Sequence, residues 1–422
     1  MSANRQAMYV DNEISELKKV IVHFPDRGVS RISPKSAENL LFDDIVFYSL
    51  MHKEYQVFLR ILHLFLGEEN VYLTHQLITE AIDACDAVKE ELIDRIIDFE
   101  ELPPSFEKYF NGLSDKELAR LLITGYLSED DRILYDPIPN FMFTRDIAVT
   151  IKDHILITKA AKEARHRENL LSRFIFQYHP MFEEIKAQGK VINMNDLELF
   201  PPSKRAEAAA AEGGDIMMFD PEHLMIGCSE RTSHYAFESI KNILFEKKLV
   251  ENIAQVNIPN ERSYMHIDTL FTRVDKDLVA CYKPIVYEGD GGNVIVHRID
   301  GSKQTYVSLK DYINAEINPD MKYVFSGGGE SPFAEREQWT DSVNLVALRP
   351  GIAISYDRNL RTLRHFEKLG YRVIDADDLF RNAVADQHYV NNMEKTIITI
   401  PSAELSRARG GSHCMTCPIL RA

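Results

Sequence analysis

The sequence predicts an α/β protein made of repeated strand–strand–helix–strand (ββαβ) units, interrupted once by an all-helical block. Three observations predict it. Short β-like runs recur from residue 147 onward with helical patterns between them. Glycine-rich turns recur among them: Glu212-Gly213-Gly214-Asp215, then 289–292, 327–329 and Gly410-Gly411. From about His75 to Leu127 the strand signals disappear and the apolar spacing becomes helical. The repetition lies in pattern rather than in residue identity, so a doubly wound α/β sheet fits the same signals.

The elements follow in order. Residues 17–23 read as a strand running into a turn at Pro25-Asp26-Arg27-Gly28, and 43–66 as a helix with Tyr55, Phe58, Leu59 and Leu62 on one face. Val71-Tyr72-Leu73 is a short strand. Ile78, Ala81, Ile82, Cys85, Val88 and Leu92 mark one helix, extended by Ile93, Ile96 and Ile97 and ended by Pro103-Pro104. Further helices are expected at 106–110 and from Ser114 through Leu122, where Ser114-Asp115-Lys116-Glu117 has the form of a capping box. Strands are expected at 147–151, 154–158, 216–219, 224–227, 278–282, 343–348, 352–355, 372–374 and 396–400, and helices at 233–248 and 361–369. Residues 206–211 read as a local helix or loop, and 380–395 as a polar surface excursion. The expected organisation is a first α/β part at 1–74, a helical insertion at 75–135 and the rest of the α/β body at 136–422.

A chain of 422 residues exceeds one ordinary core unless the fold repeats internally, and 45% hydrophobic with 27% charged residues is normal for a globular protein. The segment Met1-Ser2-Ala3-Asn4-Arg5-Gln6 has no apolar signal region, and no run approaches the ~18 apolar residues of a transmembrane helix. Five scattered cysteines (Cys85, Cys228, Cys281, Cys414, Cys417) argue against a disulfide framework and for a reducing, cytoplasmic setting. A net charge of -16 repels phosphate backbones and anionic lipid, which argues against nucleic-acid and membrane partners and favours a cationic ligand.

Four segments could carry chemistry. Cys414 follows Arg409-Gly410-Gly411-Ser412-His413, where glycines permit positive φ and close ligand approach. The alternatives are an inert buried thiol, or a Cys-x-x-Cys redox or zinc pair with Cys417, although no second pair completes a zinc site. His266 and Asp268, two apart in an apparent strand, would share one face and suit acid–base work beside a cation; a structural histidine fits equally well. Glu212 and Asp215 flank two glycines, and Asp146 ends Asn140-Phe141-Met142-Phe143-Thr144-Arg145-Asp146. Taken singly, these acids read as solvated turn residues and Arg231 as a surface arginine.

Taken in order, the segments resemble the arginine deiminases, within the wider set of guanidine-modifying enzymes. The series runs Leu40-Leu41-Phe42-Asp43-Asp44, then 140–146, 212–215, Arg231, His266-Ile267-Asp268-Thr269, 333–339, Tyr356-Asp357-Arg358-Asn359 and His413-Cys414-Met415-Thr416-Cys417-Pro418. The resemblance implies a five-bladed α/β propeller of ββαβ units with an inserted helical domain. It also implies hydrolysis of L-arginine to L-citrulline and ammonia. In that reading Cys414 is the nucleophile, His266 the general acid and base, Asp146 and Asp268 the guanidinium-gripping carboxylates, and Glu212 the carboxylate orienting His266. Arg165 and Arg231 would bind the α-carboxylate with Asn140 beside them, Leu41 and Phe143 would flank the aliphatic stem, and Arg409 would sit on a mobile loop. Neither metal nor organic cofactor is expected, and a homo-oligomer (dimer or tetramer) is. Ser412 and Ala408 depart from the glycines frequent in the family and would stiffen the nucleophile loop. Competing readings are a related hydrolase or amidinotransferase of another guanidino compound, a non-catalytic arginine-binding protein, and a redox or zinc protein.

Overall fold

The computed structural model describes residues 8–127 and 131–422, so the reading of Met1 to Gln6 and residues 128–130 of the expected helical block lie outside the described residues. The architecture is mixed α/β, with six small sheets among the described residues.

Five of these sheets share one connectivity. Strands Ala148–Ile151 and His154–Ile157 pair antiparallel, helix His166–Tyr178 follows, and Val191–Asn193 returns parallel to the second strand. A parallel return needs a crossover, which the helix supplies. The order repeats with Ile216–Met218, His223–Cys228, helix His234–Glu246 and Asn252–Asn257, which a hairpin of Val294–Arg298 and Lys303–Tyr306 extends. It repeats again with Phe271–Asp275, Leu278–Cys281, the short helix Leu309–Tyr312 and Lys322–Phe325. In the fourth sheet Val346–Arg349 and Ile352–Tyr356 are followed by helix Leu360–Lys368. Thr396–Ile400 then lies parallel to Ile352–Tyr356, with Arg372–Asp375 outside it. The fifth is split in sequence. Leu17–Val22, helix Tyr48–Leu66 and Val71–Leu73 form its later part, and Cys417–Arg421 supplies the antiparallel first strand.

Helices Thr74–Asp83, Asp86–Phe99, Phe106–Asn111 and Asp115–Thr124 form the block between the fifth and first of these sheets. The capping box at Ser114 and Glu117 is made, and Gly125 ends the last helix in the left-handed conformation. The block keeps no core to itself. Leu92, Ile96 and Leu122 share one buried cluster with Ile155, Leu171 and Phe176 of the first sheet and its helix.

Several local expectations differ. The long helix read through Cys85 is two helices, because Cys85 is extended, with φ -167° and ψ 127°, between them. The helix expected from residue 43 starts at Tyr48. The excursion at 380–395 begins inside helix Ala376–Ala385, whose N-cap Asp375 accepts from the Asp378 amide. Helix Tyr48–Leu66 buries Tyr55, Phe58, Ile61 and Leu62 completely, about 2 kcal/mol of hydrophobic gain for each. No helix among the described residues is long and apolar enough to cross a membrane.

Candidate active site

Each of the five ββαβ sheets begins with a tight turn, and these turns carry the polar residues of the site. Thr144–Asp146 precedes strand Ala148–Ile151, and Gly213–Asp215 precedes Ile216–Met218. Ile267–Thr269 precedes Phe271–Asp275, and Asn344 precedes Val346–Arg349. Cys414 precedes Cys417–Arg421. His266 and Asp268 are therefore not alternate residues of a strand, as expected, but lie at the start and middle of a 3₁₀ turn. The turn, rather than the alternation of a strand, sets their directions.

Ten of the eleven expected residues line one cavity: Leu41, Asn140, Phe143, Asp146, Arg165, Glu212, Arg231, His266, Arg409 and Cys414. Asp268 lies beside it, fully buried, with Oδ2 3.3 Å from Cys414 Sγ. The glycines provide close approach. A Cβ on Gly214 would fall 2.8 Å from His266 Nδ1, and one on Gly410 would meet the Phe143 ring at 2.3 Å. The positive φ expected of the glycines before Cys414 belongs instead to Arg409, at 63°. Arg409 lies flat on Trp339, its Cζ 3.4 Å from the ring centroid.

Asn344 fixes the nucleophile. Its amide nitrogen lies 3.1 Å from Cys414 Sγ and donates to the Asp268 carbonyl at 3.0 Å, while its oxygen accepts from the Cys414 amide at 3.0 Å. Ser412 ties the loop to the fourth sheet. Its hydroxyl donates to the Ile354 carbonyl and accepts from the Val346 amide, at 2.7 and 3.0 Å.

Arg165 is central to the charge pattern. Its Nη1 lies 2.6 Å from Asp146 Oδ2 and 3.0 Å from Glu212 Oε2, and its Nε 2.9 Å from Glu168 Oε2. His266 Nε2 is 3.0 Å from Glu212 Oε2, and its Nδ1 is 3.9 Å from Asp146 Oδ1. Arg231 Nη1 lies 3.6 Å from Glu212 Oε1. Asp146, Glu212 and His266 are close enough to share one metal ion. The carboxylate pair, however, already has a cation bound across it, the Arg165 guanidinium, so the donor set fits a guanidinium rather than a metal. Cys414 and Cys417 are both free thiols.

Burial disfavours a charge on His266, but Asp146, Glu212 and Asp215 outweigh it and push its pKa up to about 10. Glu168, deepest in the cluster, is pushed up to about 7 by burial and by the Glu212 and Asp146 charges, against the pull of Arg165. The Cys414 thiol is held well above its ordinary value by burial first, then by Asp268, Asp146 and Asp341. In this state the sulfur is a neutral thiol. The raised His266 pKa carries a stability consequence: the imidazolium's contribution is complete below its unfolded pKa of about 6.5 and is lost as pH rises toward 10. The melting temperature is expected to fall from pH 7 to 10, and to fall less steeply in His266→Gln. Equal slopes in a thermal-denaturation series would contradict the assigned charge state.

A family model described as arginine deiminase matches residues 38–132 and 126–421. The chain belongs to the arginine deiminase family. A curated arginine deiminase of Clostridium perfringens is 30% identical over 449 residues, covering 99% of this chain and 98% of that protein. Among solved structures, SxtG, an amidinotransferase of Microseira wollei, aligns with a TM-score of 0.52 at 13% identity, covering 98% and 97% of the two chains. A DDAH of Pseudomonas aeruginosa complexed with citrulline aligns with a TM-score of 0.50 at 14% identity, covering 95% of this chain and 99% of that one. At that identity these structures share the fold.

In this member of the arginine deiminase family, the sequence reading missed Asn344, His413, Glu13, Arg145 and Glu168. Asn344 was read inside the strand expected at 343–348, whereas the strand begins at Val346 and Asn344 lies in the turn before it, equivalent to Asp146, Asp215, Asp268 and Cys414. Glu13 had no signal, because its partners lie far along the chain.

Proposed function

We propose that the protein is an arginine deiminase that hydrolyses L-arginine to L-citrulline and ammonia through a Cys414 thiouronium intermediate. The observation that carries this is the set of unspent polar atoms around one thiol. Asp268 Oδ1, Arg231 Nε and Arg409 Nε are buried with no hydrogen-bond partner. A buried acceptor without a donor and buried N–H donors without an acceptor each cost free energy. One ligand answers both needs, a guanidinium that carries an α-carboxylate on an apolar stem.

The guanidinium takes over the Arg165 contacts with Asp146 and satisfies Asp268, which places its carbon beside the sulfur. Displaced Arg165 turns with Arg231 to the α-carboxylate, beside Asn140, while Leu41 and Phe143 flank the stem and Arg409 closes over it. The arriving cation offsets the carboxylates that hold the thiol neutral, so the thiolate forms with substrate in place. The thiolate adds to the guanidinium carbon, and protonated His266 gives its proton to the departing nitrogen, releasing ammonia. His266, now neutral and oriented by Glu212, takes a proton from water. The resulting hydroxide adds to the thiouronium carbon, and collapse of that adduct expels the Cys414 sulfur, which takes the hydroxyl proton, leaving citrulline and the resting thiol.

The five sheets of like connectivity support a five-bladed propeller, residues 75–135 being its helical insertion, with the five site-bearing turns converging at the centre. Five unpaired cysteines support a cytoplasmic setting, and a homo-oligomer is expected. The test is citrulline release from L-arginine, with agmatine and methylated arginine in parallel. Arginine is expected to be turned over. Agmatine, lacking the carboxylate, should lose about 10²–10³-fold in kcat/KM. Comparable turnover of agmatine would remove the carboxylate-recognition role, and silence on arginine would remove the assignment.

A further inference from the structure

A buried chain of charged and polar groups runs from Asp268, beside the nucleophile, through His413 and Glu13 to Arg145. His413 Nδ1 lies 2.8 Å from Asp268 Oδ2, the oxygen that also meets Cys414 Sγ. His413 Nε2 lies 3.2 Å from Glu13 Oε2, and Glu13 Oε1 lies 3.4 Å from Arg145 Nη1. Arg145 in turn donates its backbone N–H to the Cys414 carbonyl at 3.0 Å. Glu13, Arg145, Asp268 and His413 are each at most 4% exposed. None of these contacts is used in the reaction described above, apart from those of Asp268 itself.

Both ring nitrogens of His413 face carboxylate oxygens. Glu13 is held well below the usual carboxylate range because Arg145, His413 and Arg421 outweigh its burial, and Asp268 is likewise held low against burial by His413, His266 and Arg145. Carboxylate oxygens accept, so both ring nitrogens of His413 are placed to donate, one to Asp268 and one to Glu13. Resting on the proposed reaction, we infer that His413, kept charged by Glu13, is a positioning residue for Asp268: it occupies Oδ2, aims Oδ1 at the substrate guanidinium, and offsets the carboxylate's charge beside the thiol. Without it, Asp268 would lose the group hydrogen-bonded to Oδ2, bear more strongly on Cys414 and make the thiolate harder to form. The groups facing the sulfur are Asp268, Asp146 and Asp341, all acids. His413 is the cation in contact with the nearest of them. Removing Glu13 would leave His413 Nε2 without the carboxylate that faces it.

The test is the pH dependence of Cys414 alkylation by iodoacetamide, beside kcat and KM for arginine. His413→Gln keeps a donor for Asp268 and removes the cation. The alkylation midpoint is expected to rise by about one pH unit, equal to a tenfold lower rate below it. The kcat should fall about tenfold with KM within threefold, since the substrate contacts remain. Glu13→Gln should move both readings the same way, and Glu13→Asp should restore part of the shift. A merely structural role would lower the melting temperature and leave the midpoint where it was. An unmoved midpoint in His413→Gln overturns the inference; if that variant does not fold, Glu13→Gln decides by the same criterion. Alkylation needs no turnover, so an enzyme inactive on arginine would sink the proposed function and still report on His413.

Discussion

Serine in place of Cys414 abolishes citrulline release, with a loss of about 10⁴-fold or more, and leaves the folded protein intact. The expectation follows from what the side chain does and does not contribute. The Cys414 amide and carbonyl are held by Asn344 and Arg145 through the backbone, and both bonds survive the exchange. What disappears is the sulfur. A serine hydroxyl is far less acidic than a thiol and would face the same Asp268, Asp146 and Asp341 charges. Arginine should still bind, so the variant should gain thermal stability when arginine is added, as the parent does. Residual activity within a hundredfold of the parent would remove Cys414 as the nucleophile. A large loss of melting temperature would mean that the thiol also holds the loop.

Asp268→Asn is expected to separate reactivity from catalysis. The substitution removes the acid that contributes most among the charges holding the Cys414 thiol neutral, so alkylation of Cys414 should become faster at neutral pH. Turnover should nevertheless fall by about 10³-fold, because the amide cannot make the charge-assisted grip on the guanidinium and its nitrogen would meet the substrate as a second donor. KM should rise together with the fall in kcat. Slower alkylation along with slower turnover would show that Asp268 promotes the thiolate, the opposite of the assignment here.

Much of the site could be read from the sequence because its residues sit in short, distinctive turns. Glu212-Gly213-Gly214-Asp215 and Gly410-Gly411 mark close approaches that only glycine permits, against His266 and Phe143. The strands and the Ser114 capping box are local signals that the structure repeats. Three things were not local. His266 and Asp268 were read on the period of a strand, whereas a 3₁₀ turn of the same few residues decides where they point. The break at Ala84 and Cys85 has no proline or glycine to announce it; packing of the two helices into one shared core decides it. The engagement of Arg165 by three carboxylates depends on Asp146, Glu168 and Glu212, and only Glu168, three residues on, is near it in sequence. The same distance hides Glu13, 400 residues from His413.

That separation bears on how the molecule comes to exist. Strand Leu17–Val22 has Val71–Leu73 on one side almost as soon as it is made, while the partner on its other side, Cys417–Arg421, follows all the other sheets along the chain. Until then one edge of an apolar strand stays unpaired, the kind of edge that recruits other chains. Contacts of such span also close slowly, since a long loop must be ordered before they form. Glu13 and Arg145 must likewise wait for His413. The ribosome therefore carries a chain with its acidic turns made and its nucleophile absent, and the final strand seals the sheet and delivers the thiol in one event. A nascent or truncated chain is an inert one, exposed to aggregation and to chaperones but unable to consume arginine.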